Sequence, residues 1–557
     1  MVVEIHKRGR LVVGEPFFSP GVPLVLERRA LGDVAEGDLA LVRPGRGRAR
    51  LEHVIGPATE IENVLEALLV EEGLRGGFEP HSAPPLVTEG RTDLRELFAF
   101  TIDPETAKDF DDAVSVRREV DGLRAWVHIA DVSYFVPAGS PLDRGAADRG
   151  CSVYVPGRVA PLLPPELSDD LCSLRPHQDR LCVTVEIPFD AELGAGEPLF
   201  YRSVIRSRER LTYGRAEAIL AGREQADQEL AEALRLAEWL ALELRRRRFA
   251  RGALRIETKE IAFSFDGRGG IEAAWPETEP HAHTLVEELM ILANEAVASL
   301  LAGRRSESLY RVHERPDPQA VAHLLAKLAD LEVPTPPAPD TEHLTPAQAE
   351  RLAAAIGERV MDYVARARRG EEAFPALVLR ALKQARYLPQ NLGHSGLASP
   401  AYCHFTSPIR RYPDLVCHRA LLREIGASDE LLPEELYELA DHSSAQERAA
   451  TAVEYRADEI CLAWHLADRL FELGWDASFE AEIIGVIDSG LFVRFGEVFE
   501  GYLPARRMEG DYFELNPLGT ALVGRRSRRT YRLGDPIEVQ VESIERAEGK
   551  VELSPPR

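Results

Sequence analysis

Between Leu94 and Val116 the chain reads LRELFAFTIDPETAKDFDDAVSV, and this stretch restricts the fold more than any other. The run Leu97-Phe98-Ala99-Phe100-Thr101-Ile102 has the aromatic and apolar make-up of a buried strand, and it ends directly on Asp103. Pro104 and a short polar turn follow, then Asp109, Phe110, Asp111 and Asp112, after which Ala113 and Val114 begin a second strand. Such a chain needs a sheet whose strand ends bring four carboxylates into one connection. Held close together these groups repel and raise one another's pKa, so the arrangement calls for cations between them. A donor set made only of oxygens favours Mg²⁺, with Mn²⁺ as a substitute, over zinc. Two such ions would offset the carboxylates and leave the loop ready for an anionic substrate such as a phosphodiester. The plainer alternative is a solvated turn, because Asp is common in turns. A helix-loop-helix calcium loop is excluded: its glycine and glutamate positions hold Lys108 and Val114.

The rest of the composition narrows the setting. A chain of 557 residues accommodates one large domain and one or two small ones. Its mean hydropathy of −0.20 and the absence of a long apolar run argue against a membrane span. The N-terminal MVVEIHKRGRLVVGE interrupts its apolar residues with charges and lacks a secretory core, so a cytoplasmic protein is expected. Cys151, Cys172, Cys182, Cys403, Cys417 and Cys461 form no CxxC pair, which fits reduced thiols better than a zinc ribbon or a disulfide framework. A net charge of −25 excludes a protein that coats itself with nucleic acid. Arginine is nevertheless clustered at Arg43–Arg50, Arg245–Arg248 and Arg525–Arg532, where it suits phosphate contacts and base stacking.

Four divisions follow from the change of pattern along the chain. Residues 1–58 alternate β-rich runs (Arg10–Val13, Pro23–Leu26, Asp38–Val42, Ala49–Ile55) with turns, as in a small OB-type barrel; a winged-helix module is the rival. Residues 59–91 hold a helix at Glu60–Glu72 and a Gly- and Pro-containing linker. Residues 92–474 form the main domain. In it Arg124–Asp131 and Tyr134–Val136 read as strands, Cys151–Pro156 as a β-prone stretch presenting Tyr154, and residues 226–249 as a helix ending in arginines whose cations complement its dipole. Residues 284–302 are apolar around most of a helix, so Glu287 or Glu288 must face a polar partner.

A second dense stretch, His394–Arg419, places Thr406, Ser407, Arg410 and Arg411 where a turn passes into a helix, a geometry that suits a phosphate. His394, His404, His418 and His442 fit no compact zinc spacing and read as hydrogen-bonding residues. In 475–557 the pattern changes to strands at Phe479–Val486, Gly490–Phe495, Glu500–Pro504, Ile537–Ile544 and Lys550–Leu553, a five-stranded OB-type barrel. Half of Phe492, Phe495, Phe499 and Tyr502 should be core.

TIDPETAKDFDDAV, RGCSVYVP, LSDDLCSLRPHQDRL, LYRVHERPDP, HSGLA and HFTSPIRRYPDLVCHR together resemble the ribonuclease II/R (RNB) family. GLFV, EGYL and YRLGDPIEVQVESI resemble an S1 domain, with Pro504 where many such domains have histidine. The resemblance implies an α+β fold: an RNB catalytic domain with a mixed sheet surrounded by helices, between a small β-rich N-terminal module and an S1 barrel. It further implies a metal-dependent exoribonuclease that hydrolyses single-stranded RNA processively from its 3′ end and releases nucleoside 5′-monophosphates. In that family the counterparts of Asp103, Asp109, Asp111 and Asp112 hold Mg²⁺ at the scissile phosphate, and that of Arg410 contacts it. The counterpart of Tyr154 stacks on the terminal base. Ser407, Arg411, Glu454, Phe492 and Glu288, the last toward a ribose, become candidate RNA contacts. Ile256 stands where some relatives carry a phenylalanine that completes the base sandwich. The expected partner is a single-stranded RNA 3′ end; no protein partner is identifiable and a monomer is expected. Relatives of the bacterial type carry two N-terminal cold-shock barrels where 1–91 has room for one, so a more open entrance and use of short 3′ overhangs on structured RNA are expected. A catalytically silent RNA-binding protein of this fold, or an ion-stabilised structural protein, are the alternatives from other classes.

Overall fold

The computed structural model describes residues 1–9, 11–27, 34–256, 260–266, 269–277, 280–338, 341–508 and 510–556. Arg10, at the head of one expected strand, lies outside them.

Strand periodicity decides how the central sheet sits. Phe100 and Ile102 enter one core with Val114, Val116, Val127, Ile129 and the helix residues Leu285 and Leu289, while Ala99 enters another with Ala113 and Ala130. Large side chains thus fill one face, and alanines let other elements approach the opposite face closely. The sheet has seven strands in the spatial order Glu209–Thr212, Phe100–Asp103, Asp112–Glu119, Gly122–Ala130, Asp179–Asp190, Leu199–Arg206, Thr92–Asp93. Its outermost pairs are parallel and the inner ones antiparallel, so the sheet is mixed as expected. Helices Gln228–Ala250 and Pro280–Arg304 cover the face that carries Phe100. Helix Tyr412–Glu424 inserts Tyr412, Leu415 and Val416 beside Ala99 and Ala113.

One expected strand is wrong. Tyr134–Val136 belongs to a short helix, Val132–Phe135, and then leaves it. The chain turns there because buried Asp131 is tied to Arg91 at 2.7 Å and Arg202 at 3.1 Å and accepts the Ser133 hydroxyl at 2.6 Å. Fixed contacts from distant residues override the β-preference of Tyr and Phe.

Both ends of the chain are β-rich. At the N-terminus, Val2–Arg8, Leu11–Pro16, Leu24–Val25, Asp38–Arg43 and Arg50–Pro57 form a sheet in the order third, second, first, fourth, fifth. A parallel bridge between Leu26 and Ala49 brings its outer strands together. The central strand, Val2–Arg8, is absent from the sequence expectations although Val3 and Ile5 alternate with polar residues and are fully buried. Among the described residues before Thr92 there is one α-helix, Ile61–Glu71, fewer than a winged-helix module contains. Its Ile61, Val64, Leu65 and Leu68 pack with Val453, Ala457 and Ile460 of the long helix Leu436–Leu473.

At the C-terminus, Ser478–Ile487, Gly490–Phe495, Phe499–Pro504, Pro536–Glu545 and Lys550–Ser554 close into a barrel, within a residue or two of the expected spans. Its third and fifth strands are parallel, at Tyr502 and Glu552. An unexpected three-stranded sheet, Phe513–Leu515, Ala521–Gly524 and Thr530–Arg532, is inserted between the third and fourth barrel strands. All six cysteines are free, and no helix among the described residues is long and apolar enough to cross a membrane.

Candidate nuclease site

The aspartate loop is anchored by its single aromatic residue. Phe110 is buried, and its N–H donates to Ser173 Oγ at 3.1 Å while its carbonyl accepts Leu174 N–H at 2.9 Å. With Phe110 turned inward, Asp109 and Asp111 on either side are held at one cavity of about 1780 Å³, which Asp103 and Asp112 also line. Asp103 ends its strand and Asp112 opens the next, so the sheet itself fixes two of the four positions.

The second sequence block closes on the first. Ile409 N–H donates to Asp111 Oδ1 at 2.8 Å, and Arg410 Nε lies 3.5 Å from Asp111 Oδ2. Ser152 N–H donates to the Arg410 carbonyl at 2.9 Å, which docks the Tyr154 strand, Val153–Val155, beside them. The Tyr154 hydroxyl donates to Asp109 Oδ2, and the Tyr154 N–H donates to Glu454 Oε1 at 2.9 Å. Residues more than 300 positions apart in sequence thus meet within one hydrogen-bonded cluster.

The electrostatics favour a cation. Burial, then the charge of Asp112, raises the Asp103 carboxyl to about 7. Burial raises Asp112 to about 6 against the pull of Arg410 and Arg411, and raises Asp111 well above the usual carboxylate range. Asp103 Oδ2 and Asp111 Oδ2 are buried without a hydrogen-bond partner among the described residues. Orphaned carboxylate oxygens in an oxygen-only set fit Mg²⁺ or Mn²⁺. Among the described residues no three His, Cys, Asp or Glu side chains converge into a ready-made cage. That also suits Mg²⁺, which commonly binds one or two carboxylates and completes its shell with water and substrate phosphate.

The arginine pair divides its work. Arg410 leaves 47% of its side chain exposed at the cavity, whereas Arg411 is forked onto buried Asp414 by two bonds of 2.9 Å. Asp414 also accepts Ser407 N–H, and Ser407 Oγ accepts from Arg410 at 3.2 Å. Ser407 and Arg411 therefore border the cavity chiefly as supports for Arg410. Glu288 is placed differently from its expected role: it is 2% exposed and paired with Arg248, while its neighbour Glu287, which Arg248 also reaches at 3.1 Å, lines the cavity. The apolar surroundings of that helix demanded a cation for the inward carboxylate, and Arg248 of the facing helix supplies it. The Arg245–Arg248 cluster is accordingly structural in part, since Arg246 and Arg247 both pair with Glu243.

The far end of the cavity belongs to the barrel. Phe492 is 44% exposed there and contacts the ring of Tyr502, with centroids 5.4 Å apart, while Phe495 and Phe499 are core. Ile256 packs into another core and not at the cavity. The histidines take hydrogen-bonding places: Leu397 N–H donates to His394, His404 meets the Tyr387 hydroxyl, His418 the Phe405 carbonyl and His442 the Asp148 carbonyl.

Several cavity residues were not foreseen. Tyr213 and His283 stack at 4.0 Å with an 8° interplanar angle, and Tyr455 is 67% exposed on the wall. Tyr213 follows a strand that pairs with the Asp103 strand, and only that pairing brings it to the site.

The RNB domain pattern matches residues 91–426, more than half of the chain, and the S1 RNA binding domain pattern matches 473–555. Ribonuclease R of Escherichia coli is 37% identical over 491 residues, 85% of this chain and 58% of that protein. This chain therefore spans somewhat more than half the length of that relative. The apo form of Mycoplasma genitalium RNase R superposes with a TM-score of 0.87 at 25% identity, over 99% of this chain and 89% of that one. The same protein in complex with ribose-methylated single-stranded RNA gives 0.87 at 24% identity, with the same coverage.

Proposed function

The chain belongs to the RNB domain family, and from that premise we propose that it is a 3′-to-5′ exoribonuclease that hydrolyses single-stranded RNA and releases nucleoside 5′-monophosphates. The observation that carries this reading is that four aspartates and Arg410 line the same cavity as Phe492, an exposed aromatic of the barrel. An RNA strand threaded between them would meet stacking surfaces first and the carboxylates last. The likeness to an RNase R solved with single-stranded RNA supports that substrate.

In the proposed reaction Asp103, Asp109, Asp111 and Asp112 would hold Mg²⁺, or Mn²⁺ in its place, as one ion or two. When bound, such ions supply Lewis-acid stabilisation of the phosphate and a more acidic water. The protein's own contributions are positional. Arg410, steadied by Ser407 and by its contact with Asp111, offers guanidinium N–H groups to the non-bridging phosphate oxygens as charge develops there. Tyr154 offers its ring as a stacking surface for the terminal base while its hydroxyl holds Asp109 in place, and Glu454 fixes the Tyr154 backbone. Phe492 grips bases upstream. Glu287, facing the cavity where Glu288 does not, takes the role of polar partner for a ribose.

The same reading extends to duplexes with a short 3′ overhang, supported by the cavity wall: among the described residues none of the N-terminal sheet lines it. The experiment is incubation of 3′-labelled and 5′-labelled single-stranded RNA, and of duplexes with graded 3′ overhangs, with Mg²⁺ or with EDTA. The 3′ label should leave first as mononucleotide and the 5′ label should collect in a short end product, with neither in EDTA. A silent RNA-binding protein would bind the RNA and leave both labels intact, and a purely structural ion site would leave both intact without binding.

A further inference from the structure

A second cavity, of about 740 Å³, lies behind the segment 393–400 and opposes the first in charge. Its rim holds Arg251, Arg255, Arg315 and Arg351 against Glu350 and Glu358, in a chain whose net charge is −25. Arg251 shares Glu295 at 3.1 Å and Arg315 shares Glu350 at 2.9 Å. Arg255 and Arg351, both exposed, have no carboxylate partner among the described residues. Beneath them the wall is apolar: Phe249, over which the Arg255 guanidinium sits at 5.9 Å, together with Ala253 and Ala354. Guanidinium groups above an aromatic and aliphatic floor are what a phosphate attached to a flat base requires, and the volume is that of a small-ligand pocket.

The partition between the two cavities is thin. Gly393, His394 and Ser395 face the basic pocket, while Leu397 and, a few residues on, Tyr402 face the aspartate cavity. The segment is turned back on itself by left-handed backbone at Gly393 (φ 78°) and Ala398 (φ 50°), and its short turn, Ser395–Leu397, contributes Ser395 to one cavity and Leu397 to the other. His394 reaches across it, its ring 5.3 Å from that of Tyr402.

We propose that this arginine-rimmed pocket is a second phosphate-binding site, sized for a nucleoside monophosphate and placed directly behind the wall of the nuclease cavity. Its phosphate comes either from a released mononucleotide, a source that rests on the proposed reaction, or from the backbone of RNA lying on the surface. The site itself depends on neither.

The test is binding by the full chain in EDTA, so that no turnover is needed and failure of the pocket stays separate from failure of the reaction. Adenosine 5′-monophosphate and inorganic phosphate are titrated calorimetrically into the wild type, Arg351→Ser, Arg255→Ser/Arg351→Ser and, as a control on the nuclease cavity, Arg410→Ser; labelled single-stranded RNA is titrated in parallel. Both pocket arginines are exposed, and an unchanged melting temperature verifies that the variants fold. The expected result is monophosphate affinity at least about tenfold weaker in the double variant, intermediate in Arg351→Ser, and retained in Arg410→Ser. A matching loss for RNA with monophosphate binding unchanged would also support the site and identify the backbone as its source. Undiminished binding of all three probes by the double variant, or loss of monophosphate binding in Arg410→Ser alone, overturns the proposal.

Discussion

The two ends of the nuclease cavity are built on opposite principles. At the aspartate end several side chains are pinned by specific partners: Asp111 by Ile409 N–H, Arg411 by buried Asp414, Tyr154 by Asp109. At the barrel end Phe492 stands 44% exposed with the ring of Tyr502 beside it. The first end needs geometry held to fractions of an ångström, which only burial and hydrogen bonding provide. The second needs only flat apolar surface, because every base has a face to stack. Substitutions at the aspartate end should therefore act on folding or turnover in an all-or-none manner, and those at the barrel end should act gradually on affinity.

Arg411→Ala is the largest break expected. It would strand a buried Asp414 carboxylate and should cost roughly 3–5 kcal/mol of stability, seen as a lower melting temperature and poor yield. Arg410→Ala, one residue away and half exposed, should fold normally and lose turnover. Equal stability losses in the two would erase the division of labour between them.

Asp458 sharpens the comparison through pH. It lies on the cavity wall between the two ends, and burial together with Glu454, Glu260 and Glu459 raises its carboxyl to about 7. Because the folded value exceeds the unfolded one, its contribution to stability is complete below about pH 4 and is lost as pH rises through 7. Asp458→Asn should thus be more stable than the wild type at pH 8 and no more stable at pH 4. Thermal melts across that range check the sign; a stabilisation that does not vary with pH would contradict it.

Much of the aspartate end was legible because its signals are local. The aromatic and apolar make-up of the run located the strand through Phe100 and Ile102, and the spacing of Asp103, Asp109, Asp111 and Asp112 implied a shared loop. The barrel strands were legible for the same reason. What sequence could not give depended on contacts between distant elements. Nothing near Glu287 and Glu288 says that Arg248, from the facing helix, will pair with both and bury only Glu288. Tyr213 and His283 reach the site only through sheet order and helix packing. Val2–Arg8 is a different case: its alternation was present, and the charges between its apolar residues obscured a strand buried on one face.

Tyr154→Ala tests the border between the two principles, since this ring faces the cavity and its hydroxyl holds Asp109. Loss of stacking worth roughly 1–3 kcal/mol should lengthen the final product with modest effect on binding of long RNA. Tyr154→Phe should restore the product length and leave Asp109 less well held, so that turnover stays below that of the wild type. An unchanged product ladder in the alanine variant would make Tyr154 a strand residue with no substrate role. The smallest effect is expected from Phe492→Ala, where Tyr502 remains as a neighbouring ring: about 1 kcal/mol in RNA affinity, with the salt dependence unaltered because no phosphate contact is removed.

The most direct test of the account is Asp111→Asn, read as binding and turnover in the same preparation. Asparagine keeps an oxygen for the Ile409 N–H and nearly the same shape, so the loop should stay in place while one charge disappears. Turnover of single-stranded RNA in Mg²⁺ should fall by about 100-fold or more while RNA affinity stays within a few-fold of the wild type. Near-normal turnover by this variant would contradict the assignment of the aspartate cluster to catalysis.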